Sequence, residues 1–206
     1  TLKKLAKDGS VFRILSEEEK VSVLPRLKEI SEEWLKSKQG HEKGFSLGFF
    51  SEEYICNFKI AVVERNGEIQ AFANFWTSAD KNEVSPDMMR YMDNAPLDTM
   101  EFLFLSLILW AKEDGYAYFD LGMAPLSGLR GGPHGSLWGR TAEMLYEYGN
   151  VFYNFQGLRE YKEKYKPIWE SRYVAFPHEL SLPAVLAAAA VLISKGPRGI
   201  KPVVVK

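Results

Sequence analysis

Asn66-Gly67 lies between two runs of strand-forming residues, Lys59 to Arg65 and Glu68 to Thr77. That dipeptide accepts two successive positive φ angles, which a two-residue turn between antiparallel strands requires. The runs therefore read as a long hairpin, and the fold must be organised around a sheet. A hairpin alone cannot bury its apolar faces, so it needs further strands and covering helices.

The rest of the chain supplies them. Val11 to Leu15 reads as a short strand. Ser16 with Glu19 is a capping box, and Val21, Leu24, Leu27, Ile30, Trp34 and Leu35 follow at helical spacing. Pro25 is a candidate break in that helix, and Gly40 ends it. Phe45 to Phe50 is strand-like, or a strand entering a short helix at Ser51-Glu52-Glu53. Glu83 to Pro86 ends a further strand or bulge, and Asp87 to Tyr91 is a short polar-aromatic segment. Pro96-Leu97-Asp98 precedes an apolar helix, Met100 to Asp114, stopped by Gly115. Tyr116 to Leu121 reads as a buried strand, and Gly122 to Gly135 as a loop with five glycines and two prolines. Helices are expected at Leu137 to Tyr148, Leu158 to Tyr165 and Leu182 to Lys195, and strands at Val151 to Phe155 and Ser171 to Phe176. The fold class is α/β (α+β): a central mixed sheet flanked by helices on both faces.

Charge provides no global attraction for a polyanion. With 26 cations against 27 anions the net charge is −1, so no global field draws the chain to nucleic acid. The single cysteine, Cys56, cannot form an internal disulfide and reads as a small buried side chain of a reducing compartment. Thr1 to Lys7 has no apolar signal core. The longest apolar run, Leu182 to Ile193, is shorter than the ~20 residues a bilayer span needs. It reads as a helix packed on the domain. The alternative is contact with a membrane surface, helped by Lys195, Arg198 and Lys201.

Any polyanion site must then come from local clustering. Phe155 to Glu170 brings together Arg159, Lys162, Lys164 and Lys166. At helical spacing Arg159, Lys162 and Lys166 share a face, with Lys164 turned away, and such a stripe can hold phosphates. A solvated helix face is the competing reading, because Glu160 and Glu163 alternate with the cations. Glu170, after Trp169, is placed to lock Arg159 or Arg172. Asp87 and Asp120 are the candidate catalytic carboxylates. Asp120 would end a central strand, where open sheets place ligands. Asp87 is three residues from Arg90, so the two face one way if the segment is helical; a structural pair capping a turn is the alternative. Glu101 is a first-turn acid that suits the helix dipole or lines a pocket. Glu143 lies among Leu137, Trp138, Leu145 and Tyr146 and faces a pocket or solvent. His41, His134 and His178 have no partner at metal-ligand spacing, so no metal is expected. There is no Ser-His-Asp arrangement, Walker loop or CxxC.

The element order resembles the GNAT acyltransferase fold. Asp87-Met-Met-Arg90-Tyr91, Tyr118-Phe119-Asp120-Leu121-Gly122-Met123-Ala124-Pro125-Leu126, Phe152-Tyr153-Asn154-Phe155-Gln156-Gly157-Leu158-Arg159 and Lys162-x-Lys164-Tyr165-x-Pro167-x-Trp169-Glu170-x-x-Tyr173 are similar to the C-terminal catalytic domain of the phosphatidylglycerol aminoacyltransferases, the multiple peptide resistance factors. The resemblance runs from about Phe12 to about Lys195. It implies residues 1–15 as a linker or edge strand from a preceding module, 16–195 as the aminoacyltransferase domain and 196–206 as a tail. It also implies transfer of lysine or alanine from aminoacyl-tRNA to phosphatidylglycerol, which protects a bacterium from cationic peptides. Its setting would be the cytoplasmic face of the membrane, with a membrane-spanning region and another GNAT-like module in the full-length protein. A different acceptor, an amine or peptide, and a non-catalytic tRNA- or lipid-binding module are the competing readings.

Within that frame Asp87 is expected to hold the amino acid's ammonium, with Arg90 orienting it or a phosphate. Arg159, Lys162 and Lys166 would meet tRNA or lipid phosphate. Glu101 or Asp98 could supply the extra carboxylate of a lysine pocket. A coenzyme A user needs glycine-rich backbone to cradle the pyrophosphate. The corresponding stretch, Arg90 to Met100, has no glycine and carries two aspartates, so no cofactor is expected.

Overall fold

The hairpin at Asn66-Gly67 forms the middle of the sheet. In a computed structural model of the chain, residues 8–38, 48–125, 155–173, 175–178 and 181–193 are described. Strands β2 (Lys59–Arg65) and β3 (Glu68–Thr77) pair antiparallel, and the turn has φ of 54° at Asn66 and 80° at Gly67. The left-handed pair is why this dipeptide stands there. With β1 (Ser10–Ile14), β4 (Glu83–Tyr91) and β5 (Tyr118–Phe119) they make a 5-stranded sheet in the order β1-β2-β3-β4-β5. The first four strands are antiparallel neighbours, and β5 runs parallel to β4.

Each face of the sheet carries a helix. Helix α1 (Glu17–Ser37) buries Leu24, Leu27 and Ile30 against Ile60, Val62, Phe72 and Met88. Its capping box is closed in both directions: Ser16 Oγ accepts from Glu19 N at 3.3 Å, and Ser16 N donates to Glu19 Oε2 at 2.9 Å. Pro25 does not split the helix. It lies on the solvent side, one turn after exposed Val21, where water can satisfy the carbonyl that loses its partner. The opposite face is covered by α3 (Thr99–Glu113), whose Phe102, Leu103, Leu107 and Ala111 pack on Ala61, Val63, Ala71, Ala73, Phe75 and Val84. Alanines at three of those sheet positions let the helix come close. Burying each large side chain, such as Leu27, Ile30, Leu103 or Leu107, contributes about 1.5–3 kcal/mol. Gly115, at φ 86°, ends α3: its N–H donates to Lys112 O and that of Tyr116 to Ala111 O.

Several expectations are corrected. Of the strand-like stretch Phe45 to Phe50, residues 45–47 lie outside the described residues and 48–50 form no strand, while the short helix expected at Ser51-Glu52-Glu53 is present as α2 (Glu52–Ile55). Glu83 to Tyr91 is one strand rather than a strand followed by a separate segment. Tyr116 to Leu121 is not a buried central strand: β5 covers two residues at the sheet edge among the described residues, and Tyr118 is 61% exposed. Its aromatics suit an edge, where Phe119 packs edge-on against Phe104. Ser171 to Tyr173 is not strand. The expected helix at Leu137 to Tyr148 and most of the strand at Val151 to Phe155 lie outside the described residues, while Phe155 already begins a helix.

The chain divides into two compact units, Thr1–Asp120 and Leu121–Lys206. The second contains α4 (Phe155–Glu163) and α5 (Leu182–Ile193).

Candidate functional site

Asp87 sits at an irregularity in β4. Asn74 of β3 faces Met88, and the next residue, Phe75, faces Pro86. Asp87 therefore has no partner opposite and is the extra residue of a β-bulge. The bulge also adjoins Pro86, which has no N–H and lies past Glu83 and Val84, the residues of β4 that pair with β5 among the described residues. It changes the facing of the side chains too. In a regular strand Asp87 and Arg90, three residues apart, would point to opposite faces. The bulge takes up one residue, and both point toward the α1 side, Asp87 to Asn74 and Tyr54, Arg90 to Trp34. The expected common facing is present, but a bulged strand produces it and not a helix.

The side chain opposite the bulge holds it in shape. Asn74 is fully buried; its Oδ1 accepts from the Met88 N–H at 3.1 Å and its Nδ2 donates to Asp87 Oδ2 at 2.8 Å. One amide thus satisfies a backbone donor that the bulge displaces and aims the carboxylate. Tyr54, from α2, donates its hydroxyl to the same oxygen at 2.9 Å. Burial first, and the Asp87 carboxylate second, push the Tyr54 phenol up to about 12. Tyr54 therefore keeps its proton, and its role as donor, at any physiological pH. Both donors are neutral, which orients the carboxylate without cancelling its charge.

Gly48 closes the arrangement. A Cβ there would stand 2.6 Å from the Asp87 carboxyl carbon and Oδ1, and closer still to Oδ2, so any side chain at this position would have to displace the carboxylate. Next to it Phe49 stacks on Tyr54 at 4.9 Å, Tyr54 meets Phe58 at 4.8 Å, and Phe58 meets Trp76 at 4.4 Å. Asp87 is half-buried beside this aromatic row, which ends on the exposed ring of Trp76. Arg90 is 5% exposed, and its guanidinium lies 4.3 Å from the centre of the Trp34 ring.

The other candidates in this unit are dispersed. Asp120 is exposed just past β5, anchored by its N–H to Val84 O at 2.8 Å. Glu101 is in the first turn of α3, half-buried, where an acid suits the dipole. A cleft of about 370 Å3, lined by Arg65, Asn66, Glu68, Gln70, Asn94 and Pro96, lies at the hairpin turn and holds none of them. Among the described residues no three His, Cys, Asp or Glu side chains gather as a metal site.

In the second unit the cationic stripe is not present as expected. Lys162 is buried, 6% exposed, and donates to Gly122 O at 2.7 Å and Met123 O at 2.8 Å. Helix α4 ends at Glu163, so Lys166 lies beyond it, exposed, with φ of 50°. Arg159 pairs with Glu163 at 3.1 Å and lies 4.5 Å from the Trp169 ring centre, while Trp169 Nε1 donates to Glu163 at 2.9 Å. Glu170 therefore engages Arg172, at 3.0 Å, and Glu163 takes the place expected of it beside Arg159. Glu143 and His134 lie outside the described residues.

Gly48, Tyr54, Asn74 and Glu163 were not singled out from the sequence. Asn74 had a signal: an amide inside Phe72-Ala73-Asn74-Phe75-Trp76 is a buried polar group that must find partners.

Residues 1–176 match the family described as phosphatidylglycerol lysyltransferase, C-terminal. The chain is 44% identical over 174 residues to a phosphatidylglycerol lysyltransferase of Bacillus subtilis, a match covering 84% of this chain and 20% of that protein. It is 36% identical over 183 residues to one from Staphylococcus xylosus, covering 88% of this chain and 22% of that protein. The chain thus spans about a fifth of the length of these relatives. The solved structure of L-PGS from Bacillus licheniformis superposes with a TM-score of 0.77 at 39% identity, covering 94% of this chain and 58% of that one.

Proposed function

The chain belongs to the phosphatidylglycerol lysyltransferase C-terminal family, and from that premise we propose that it transfers an aminoacyl group, lysyl ahead of alanyl, from aminoacyl-tRNA to phosphatidylglycerol. The reaction exchanges one ester for another. A glycerol hydroxyl of the lipid attacks the aminoacyl carbonyl, the new C–O bond to the acyl carbon forms as the bond between that carbon and the ribose oxygen breaks, and the hydroxyl proton ends on the departing ribose oxygen. The protein must hold the aminoacyl ammonium, relay one proton and meet phosphate charge.

The observation that carries this reading is the fixed, uncancelled carboxylate of Asp87, held by Tyr54 and Asn74. A carboxylate oriented by neutral donors suits an ammonium, and the aromatic row beside it offers an apolar wall. Arg90, 4.3 Å from the centre of the Trp34 ring on the same face of β4, is the proposed positioning residue. Asp120, exposed at the end of β5, is the proposed proton relay. Glu101 remains the proposed second carboxylate for a lysyl side chain. Lys166 and Arg159 are the proposed phosphate contacts; Lys162 is occupied with backbone carbonyls. The product lipid would carry added positive charge and repel cationic peptides, and the domain would work at the cytoplasmic face of the membrane beside further segments of a longer protein.

The test is incubation with radiolabelled lysyl- and alanyl-tRNA and phosphatidylglycerol vesicles, followed by lipid extraction. Asp87→Asn should lower transfer about 10- to 100-fold, the loss of one charge-assisted hydrogen bond to the ammonium. Label entering lipid at an unchanged rate in that variant would remove Asp87 from the reaction. Label entering no lipid from either tRNA, within a full-length relative that carries this chain, would remove the proposed activity.

A further inference from the structure

Trp76 breaks the burial pattern of β3. The five residues before it, Ala71 to Phe75, are all buried, yet its own ring is 53% exposed. Strand alternation puts Phe72, Asn74 and Trp76 on one face, and Phe72 packs on the α1 side of the sheet. Phe58, which is buried, meets the Trp76 ring edge-on with centroids 4.4 Å apart. The indole is therefore held from within the fold while half of its surface stays open, which makes it a platform for another flat group.

A cavity of about 230 Å3 opens beside the ring. Phe58, Phe75 and Trp76 give it an apolar wall, and Lys20, Asn57 and Lys59 give it a polar one. Lys20 is 3% exposed, and its Nζ donates to the two Glu17 carboxylate oxygens at 2.7 and 2.9 Å and to Cys56 O at 3.4 Å. Glu17 thus already supplies the anion that a lone phosphate would bring. An acyl chain would cover the polar wall without giving it partners. Asn57 donates Nδ2 to Glu53 O at 2.7 Å, which leaves its Oδ1 to accept from an amino group. A flat ring with polar edges, such as a nucleobase, suits both walls.

Position indicates which base. Trp76 is two residues from Asn74, about 7 Å along the strand, and Asn74 holds the Asp87 carboxylate at 2.8 Å. Tyr54, the other donor to Asp87, touches Phe58 at 4.8 Å, so aromatic contacts run from the carboxylate to the cavity. An extended aminoacyl ribose separates its ammonium from its base by roughly 7–9 Å at ordinary bond lengths. An ammonium at Asp87 therefore leaves the base within reach of Trp76.

We infer that Trp76 and its cavity receive the base of the donor's 3′-terminal nucleotide, stacked on the indole. This deepens the proposed function, on whose aminoacyl-tRNA donor and Asp87 ammonium site it rests. The end of a tRNA is single-stranded, and exposed aromatic rings hold unpaired bases in this way. Every tRNA ends in the same adenosine, so the site would grip all donors alike and leave the choice among them to the aminoacyl pocket.

The experiment measures binding of two RNA hairpins to the purified chain at low salt, without lipid. One has a single-stranded ACCA 3′ end, and in the other the last nucleotide lacks its base. Wild type should bind the complete end about 5- to 150-fold more tightly. Trp76→Leu should bind both hairpins alike, at the level wild type shows for the base-free end, and Trp76→Phe should recover most of the difference. Circular dichroism confirms that the variants are folded, and the wild-type comparison needs no variant. A wild type that binds neither hairpin, or both equally, overturns the inference. So does a Trp76→Leu protein that keeps the preference. In the lipid-transfer assay Trp76→Leu should raise KM for lysyl-tRNA with little change in kcat, because stacking holds ground state and transition state alike. Transfer by Trp76→Leu at the wild-type kcat/KM overturns the base site and leaves the proposed activity standing. A preference for the complete end that Trp76→Leu abolishes, in a chain that transfers nothing to lipid, refutes the activity and leaves the base site standing.

Discussion

Gly48→Ala should disturb the Asp87 carboxylate from outside the sheet. The added Cβ would stand 2.6 Å from the carboxyl carbon, well inside contact distance. A flexible side chain could swing away at little cost, but Asp87 is pinned by Tyr54 at 2.9 Å and Asn74 at 2.8 Å. Moving it gives up both bonds and leaves the buried Asn74 amide without its acceptor. Hydrogen bonds to a charged group contribute about 1.5–3 kcal/mol each. Residues 48–50 belong to no helix or strand and can absorb part of the overlap, so we expect a loss of about 2 kcal/mol, with transfer falling by at least about tenfold. The assay is urea denaturation of wild type, Gly48→Ala, Asp87→Ala and the double variant, read as a cycle. If the carboxylate is what the methyl meets, the Gly48→Ala cost should nearly vanish in the Asp87→Ala background. The same cost in both backgrounds would refute the reasoning and place the effect in the loop backbone alone.

Three further substitutions have defined outcomes. Tyr54→Phe should cost about 1–2 kcal/mol. Because the folded protein holds the Tyr54 phenol up to about 12, its contribution is complete below the ordinary tyrosine range, near 10, and fades as pH climbs toward 12. Alkaline denaturation series should therefore fall less steeply in Tyr54→Phe, and identical slopes would refute the assignment. Lys162→Met should destabilise the second unit by about 2–3 kcal/mol, since two carbonyls lose a charged donor. It should leave the salt slope of tRNA binding unchanged, whereas loss of a phosphate contact would lower that slope by about one. Glu19→Gln should matter only above the carboxyl range. The Ser16 N–H first, and Arg13 second, hold the Glu19 carboxyl below its ordinary 4.5, so its contribution is present above that value and is lost as pH falls. Stability of wild type and variant should converge in acid, which thermal melts across pH 2–7 would reveal.

Local chemistry that determines its own backbone was legible in the sequence. Asn66-Gly67 gave the hairpin, Ser16 with Glu19 the start of α1, and Gly115 the end of α3, because each acts within a few residues. Pro25 and Pro86 misled for one reason: a missing N–H matters only where no water or bulge can take up the loss, and exposure and pairing are tertiary facts. A spacing of three brings Asp87 and Arg90 to one side in a helix but not in a regular strand, and nothing local announces the bulge that does so here. Lys162 was read as a surface cation because its acceptors, Gly122 and Met123, lie 40 and 39 residues away. Asn74 could have been found, since a buried amide in an apolar strand demands partners, but which carboxylate it would hold depends on a register that only pairing of β3 with β4 reveals.

That register has a wider consequence. Asn74 reads the strand through one end of its amide and sets the acid through the other, so the acid's position is inherited from the pairing of β3 with β4. Under the proposed function, surrounding loops can then vary in length and composition to suit different aminoacyl donors while the charge proposed to meet the ammonium stays put. Specificity and catalytic alignment become separable traits, open to change one at a time.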